Sequence, residues 1–186
     1  MKLNLTVVLA LSAATMVAQT TLPQMNEPQN AVIEFNGGKY NGYIMEFNAP
    51  PDIVEEEVKT HFKPQKVKPK KVNYYMVYRN VVLPQVDAEK KMDAFIKVEK
   101  KSKKEENRTV AYLIVTNAGE IPDKKVKSDD TAMAIGVTAV AGSAVVLRGL
   151  TPNVEQKNYE KNMAAQQSAL KKEVDKLAGL KKDQAD

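Results

Sequence analysis

The sequence contains no cysteine and no tryptophan, and it has a single histidine. Without cysteine, no disulfide can hold the fold and no thiol can serve as a nucleophile or a metal ligand. Zinc and copper sites rest mainly on cysteine and histidine, so a transition-metal site is not expected. The composition therefore predicts a protein that needs no metal and no other cofactor.

Residue patterns that signal catalysis are also missing. The lone histidine, His61, lies near the end of a predicted helix and is expected to be structural or solvent-exposed. The acidic residues 55–57 and 129–130 are explained as charges at helix starts, where they complement the helix dipole. Gly37 and Gly38 lack the spacing of a phosphate-binding loop. We expect no catalytic residues and interpret the chain as a protein that is not an enzyme.

The first 18 residues have the pattern of a secretory signal. Lys2 precedes an apolar stretch that begins at Leu3, and small residues follow. Cleavage is predicted between Ala18 and Gln19, although residues 12–14 also fit a small-x-small site. Removing one lysine and no acid lowers the net charge from +5 to +4. We expect an exported protein, periplasmic or secreted, and no lipoprotein, because no cysteine is present to carry a lipid.

Residues 31–115 alternate between strand and helix patterns. After a polar leader at 19–30, alternating apolar residues flank the turn at 36–38, which predicts a β-hairpin. A helix is predicted over 52–62, with Val54, Val58 and Phe62 on its buried side. Three further strands are predicted from about residues 72, 92 and 110.

The element order β-β-α-β-β-β-α predicts an α+β fold. We expect an antiparallel sheet of about five strands within residues 31–150, packed by helices. In the strand near residue 95, Phe95 falls on the side opposite to its apolar neighbours.

An uncharged apolar run spans residues 131–147. Its 17 residues are at the lower limit of a membrane-spanning helix, for which about 20 are needed. The favoured interpretation is a core helix on the sheet, with Ile135, Val140, Val146 and Leu147 buried. The alternative is a membrane anchor.

The C-terminal segment 153–182 has a helical composition. Residues 148–152, which end in Pro152, are expected to interrupt or kink the chain before it. Heptad-like spacing within the segment predicts an apolar stripe, interrupted by Gln167, that consists of Met163, Leu170, Val174 and Leu177. The segment is therefore predicted to be an amphipathic or coiled-coil extension.

Two lysine-rich runs are candidate contacts for a polyanion. The first comprises Lys63, Lys66, Lys68, Lys70 and Lys71, and the second includes Lys100, Lys101, Lys103 and Lys104. They could bind an anionic lipid headgroup, a polysaccharide or a nucleic acid, or they could be solvated loops that keep the protein soluble. The second interpretation is favoured, and no nucleic acid is expected because export argues against it.

Four segments carry a resemblance to a known group: FNGGKYNGYIMEFNAPPDIVEEEVKTHF, YRNVVLPQV, DAFIKVEKKSKK and NRTVAYLIVTNAGEI. In these segments the chain resembles uncharacterised exported proteins of Bacteroidota-type bacteria. The resemblance implies a signal peptide, a compact α+β domain and a lysine-rich C-terminal helix. That group has no assigned activity, so the resemblance implies no functional residue.

The sequence thus predicts a non-catalytic protein of the cell envelope. It would bind or scaffold through its helical extension, with a second copy or another envelope protein as partner and weak contact with anionic surfaces. One alternative is a carrier that holds a lipid-like ligand between sheet and helix. Another is a membrane-anchored protein that uses residues 131–147.

Overall fold

The computed structural model describes residues 27–122 and 140–183, with side chains described as far as residue 180. Within these residues six strands and two α-helices form an α+β fold, which confirms the predicted class with one strand more than expected. The elements are β1 (Gln29–Phe35), β2 (Gly38–Phe47), α1 (Pro51–Phe62), a 3-10 turn (Lys63–Gln65), β3 (Lys70–Val72), β4 (Tyr75–Leu83), β5 (Asp87–Ser102), β6 (Glu105–Asn117) and α2 (Ala144–Asp183).

All neighbouring strands are antiparallel, in the order β1-β2-β6-β5-β4-β3. The chain leaves β2 in the first hairpin, crosses one face of the sheet as α1, and resumes at the far edge as β3. From there β4, β5 and β6 return strand by strand until β6 pairs with β2. In this crossover α1 packs across the central strands β5 and β6.

The additional strand, β3, begins within the segment predicted to be a lysine-rich loop. Val72 pairs with Tyr75, and the chain reverses between them at Asn73 and Tyr74. The predicted continuous strand from residue 72 is therefore wrong at its start. Both turn residues have positive φ, which the two-residue type I′ hairpin requires. The usual second residue of such a turn is glycine, so a tyrosine gave no turn signal.

The first hairpin and α1 follow local sequence signals. Gly37 has a φ of 82°, as the tight turn between β1 and β2 demands, and Pro51 occupies the first turn of α1. Gln29 and Asn30 already belong to β1, so the predicted leader at 19–30 ends too late. The rest of that leader as far as residue 26, and the predicted signal 1–18, lie outside the described residues.

The main core lies between the sheet and the two helices. It is built from the inward side chains of α1, the start of α2 and one face of the strands. Its large buried members include Phe47, Val54, Val58, Phe62, Met76, Tyr78, Met92, Ile96, Leu113, Val146, Leu147, Leu150 and Val154. This core fixes the orientation of both helices on one side of the sheet.

A second, aromatic cluster fills the opposite face of the sheet. It contains Ile33, Phe35, Tyr40, Tyr75, Val77, Phe95, Ile114 and Ile121. The rings of Phe35 and Tyr75 meet at a centroid distance of 5.1 Å, although β1 and β4 are four strands apart in the sheet order. The Tyr75 hydroxyl also donates a hydrogen bond of 2.9 Å to the backbone oxygen of Glu34. A sheet must twist strongly to bring such distant strands together, and this coiling buries the face on which Phe95 lies.

The described end of the apolar run 131–147 differs from the predicted helix. Residues 141–143 form a turn, with Gly142 at a φ of 84°, and α2 begins only at Ala144. Val140 is partly buried and donates its backbone N–H to Val115 at 3.1 Å. Val146 and Leu147 are buried, as predicted. Residues 131–139, including Ile135, lie outside the described part of the chain.

Residues 148–152 do not interrupt the helix, because α2 runs continuously through Pro152. Leu150, Thr151 and Val154 are buried on both sides of the proline, so packing against the core maintains a helix that propensity alone would break. Across residues 27–122 and 140–183, no helix has both the length and the apolar character needed to cross a membrane.

Candidate binding surfaces

The six-stranded sheet and α1 form what we call the body of the protein. The first half of α2 is anchored to this body by apolar and polar contacts. Its apolar contacts are those of Val146, Leu147, Leu150 and Val154 with the main core. Beyond Val154 the helix continues along α1, and the contacts become polar. The last of these polar contacts along the helix marks the point at which α2 leaves the body.

A buried carboxylate joins the two helices. Glu57 is only 2% exposed, yet it accepts a hydrogen bond of 2.8 Å from the Asn153 amide and an ion pair of 3.0 Å from Lys157. Lys157 also reaches Glu56 at 3.2 Å. The hydrogen bond with Glu57 is the main cause that raises the pKa of Lys157. A buried charge is costly unless it is paired, so these contacts tie α1 and α2 into a fixed arrangement.

We call these contacts between α1 and α2 the clamp. Two further contacts extend it toward the start of α1. Lys161 pairs with Asp52 at 2.7 Å, and this hydrogen bond is the main cause that lowers the pKa of Asp52. The Asn158 amide donates to the backbone oxygen of Asn48 at 2.7 Å. Among the described residues, the last hydrogen bond from α2 to the body is that of Lys161. The rest of the helix, roughly 33 Å at about 1.5 Å per residue, protrudes.

The protruding part of α2 carries the predicted stripe. The exposed large apolar side chains on it are Met163, Leu170, Val174, Leu177 and Leu180. In a heptad description Met163, Leu170 and Leu177 occupy d positions, and Gln167 and Val174 occupy a positions. We call the set from Met163 to Leu177, with Gln167, the α2 seam. The structure thus places the four predicted stripe residues on one surface.

The α2 seam points away from the body. Successive helical residues are about 100° apart, so the seam lies roughly 180° around the axis from Leu147, Val154 and Lys161, which face the body. The body of the same molecule therefore cannot fold over the seam while α2 is straight. Leu170, at 66% exposure, is its most exposed apolar member.

The nine candidate lysines do not converge on one site. Lys70 lies beside Val77, which pairs with Phe95 on β5, whereas Lys100 is five residues further along β5, beside Thr109. At about 3.3 Å per residue this separates the two runs by roughly 17 Å. Lys101 pairs with Glu46 at 2.7 Å, and Lys103 and Lys104 are exposed at the turn of the β5–β6 hairpin.

The first lysine run follows the open edge of the sheet. Lys63 and Lys66 flank the 3-10 turn, where the Gln65 amide donates to Val82 at 2.8 Å. Lys68 follows in the loop, and Lys70 and Lys71 lie on the edge strand β3. All five lysines are exposed. Together they form a basic strip rather than a pocket.

An open cleft of about 500 Å³ lies where α2 leaves the body. Pro50, Asp52, Lys100, Glu106 and Lys161 are among its lining residues. Charges of both signs line it, and Asp52 and Lys161 already pair with each other. The cleft therefore has no net preference for an anionic or a cationic ligand.

Asp93, a buried carboxylate like Glu57, has structural partners. Asp93 accepts hydrogen bonds from the Arg79 guanidinium at 2.5 Å and from the backbone N–H groups of Asn80 and Gly119 at 2.9 and 2.8 Å. These bonds hold the irregular backbone at Asn80, where φ is positive, and the turn at Gly119. No group of three or more histidine, aspartate or glutamate side chains within the described ranges is placed to hold a metal ion.

Sequence reasoning missed the clamp between α1 and α2. The prediction that the acidic residues 55–57 lie in the first turn of α1 is wrong, because the helix begins at Pro51 and only Asp52 lies in that turn. Asp52 and Glu56 are four residues apart, as are Lys157 and Lys161, so each pair lies on one side of its helix. That matched spacing was a signal that the two helices pair in this register.

Comparison of the chain with protein-family models, with curated proteins and with solved structures gives no match.

Proposed function

We propose that the protein is a non-catalytic scaffold of the cell envelope that associates with a second copy of itself through the α2 seam. The observation that supports this function is the direction of the seam. It lies on the part of α2 that protrudes, on the side opposite to the body. An exposed apolar row at heptad spacing is what one strand of a coiled coil presents to another.

The residue types of the seam favour two parallel helices. Valine at an a position with leucine at the neighbouring d positions is the combination that favours two-stranded parallel coils, and Gln167 would fix the register by facing its counterpart. An antiparallel pair centred on Val174 and Leu170 would bring the two Lys171 side chains together on one flank. On the other flank it would bring the two Glu173 side chains together, and like charges repel.

A parallel pair also fits the shape of the chain. The seam of each copy faces the other helix, so the two bodies lie on the outer sides of the pair and do not collide. Export through the predicted signal would place this assembly outside the cytoplasm. The carrier alternative has no observation in its favour, and the membrane-anchor alternative rests on residues 131–139, outside the described structure.

Sedimentation velocity of the full chain over a range of concentrations tests the proposal. The wild type should sediment as a dimer at high concentration, and the double substitution Leu170→Lys and Leu177→Lys should sediment as a monomer. Ser168→Lys, which adds charge on the body-facing side of the protruding helix, is the matched control and should still dimerise. A wild type that stays monomeric at every concentration would contradict the proposal.

A further inference from the structure

Tyr74 is the most exposed large hydrophobic side chain among the described residues. It lies at the tip of the β3–β4 hairpin and is 91% exposed. No described hydrogen bond or ring contact involves it. Its neighbour Tyr75, in contrast, is buried in the aromatic cluster. Of these two adjacent tyrosines, Tyr75 stabilises the fold, whereas Tyr74 makes no described contact that would do so.

The backbone at Tyr74 makes this exposure informative. Asn73 and Tyr74 have φ values of 46° and 69°, the left-handed conformation of a type I′ turn. Asparagine is favoured at the first of these positions and glycine at the second, because a Cβ is strained there. Tyr74 therefore occupies a glycine position and gains no packing in return. Folding does not account for this tyrosine, and backbone strain of this kind is often retained for function.

The basic strip leads directly to Tyr74. Residues 63–74 contain five lysines and neither an acid nor an arginine. The strip extends from Gln65, which is bonded to Val82, to the turn before Tyr75, so it spans about seven residues of β4, or roughly 23 Å. Lysines on an edge strand also prevent pairing with other sheets. That role explains the lysines of β3 but not the exposed tyrosine beside them.

We propose that the basic strip and Tyr74 together form a docking surface for an anionic phospholipid bilayer. Tyrosine is suited to the membrane–water interface, since its ring is apolar and its hydroxyl remains hydrated. Lysines are hydrated point charges that are attracted to a diffuse negative surface, whereas arginine is favoured where a phosphate is bound in fixed geometry. The elongated strip without a pocket fits a surface better than a single small anion. This inference does not depend on dimerisation through α2.

Vesicle co-sedimentation of the full chain tests the docking surface. The protein should bind vesicles of phosphatidylglycerol and phosphatidylcholine and release them as sodium chloride is raised, because salt screens the attraction. Substitution Tyr74→Gly should lower the partition coefficient about 5-fold, as expected for removing a partly buried aromatic side chain. The same variant should melt ~2–4 °C higher than the wild type, since the strain at this position is removed.

Matched lysine variants separate the basic strip from net charge. Lys68→Gln with Lys71→Gln should lower the partition coefficient by roughly 25-fold, at about 5-fold per lysine. Lys103→Gln with Lys104→Gln removes the same charge at the β5–β6 turn and should have a much smaller effect. All variants retain residues 1–18, so any lipid affinity of that segment is equal among them.

Three results would overturn the proposal. One is unchanged vesicle binding by Tyr74→Gly. Another is an equal effect of the two lysine pairs, which would show that net charge alone is responsible. The last is binding to dextran sulfate without binding to the vesicles, which would identify the surface as a polymer site. A Tyr74→Gly variant that is more stable and binds vesicles less would support it.

Discussion

The environment of His61 makes the stability of the folded state depend on pH. It is half-buried at the end of α1, with its ring 5.2 Å from that of Phe62 and its Nε2 atom 3.2 Å from the Gln85 amide nitrogen. Gln85 can donate to that ring nitrogen only while the nitrogen carries no proton. Burial lowers the pKa of His61 below its usual 6.5, and the opposing effect of Glu57 is smaller. The folded state therefore favours the neutral imidazole.

The sign of this shift predicts the pH dependence of stability. The unfolded chain takes up the proton first as the pH falls below 6.5, so the folded state loses stability between that value and the lower pKa of the folded protein. The melting temperature of the wild type should fall from pH 7 to pH 5.5. His61→Gln should flatten this part of the profile, as measured by thermal denaturation followed by circular dichroism. An equally steep profile in the variant would assign the effect to other groups.

Substitution of glycine by alanine should have opposite effects on stability at two positions in different elements. A Cβ on Gly42 in β2 would overlap the backbone oxygen of Leu113 and lie 2.6 Å from the Ile33 side chain, whereas a Cβ on Gly149 in α2 would meet nothing within 4 Å. Gly42→Ala should therefore destabilise the protein by about 1–3 kcal/mol, as overpacking does. Gly149→Ala should stabilise it by about 1 kcal/mol, because alanine is the better helix former. Urea denaturation of both variants measures this, and the same sign for both would contradict the close approach of Leu113 and Ile33 to Gly42.

The elements that could be predicted are those with local signals. Gly37 marked the first hairpin, and Pro51 with the apolar spacing of residues 54, 58 and 62 marked α1. The turn at Tyr74 was missed because the residue type contradicts the conformation. The continuity of α2 through Pro152 was missed because it depends on packing against the core, which has no local signal. The clamp at Glu57 was missed because its partners are about 100 residues away, so the matched spacing in the two helices becomes informative only once they are known to pack together.

At the scale of the whole molecule, the two halves of α2 have different roles. Its first half completes the main core, while its second half carries the α2 seam away from the body. The exposed stripe was predictable, because heptad spacing is a property of the helix alone. Its direction relative to the body was not, because that depends on which side of α2 meets the sheet and α1.

This division of α2 predicts different results for two truncations. A chain that ends after Asn162 keeps Val146, Leu147, Leu150 and Val154 in the core and also keeps the clamp to Asp52, so it should melt cooperatively within a few degrees of the full chain. It should also remain monomeric, because the seam from residue 163 onward is removed.

A chain that ends at Ser143 exposes the core to water. Fully burying a valine or leucine side chain contributes about 1.5–3 kcal/mol, so uncovering these four side chains of α2 costs about 6–12 kcal/mol, which is comparable to the whole stability of a typical domain. We expect this shorter chain to aggregate or to melt without cooperativity in calorimetry. A sharp transition in the chain that ends at Ser143 would show that the sheet and α1 fold alone and that the first half of α2 is not part of the core.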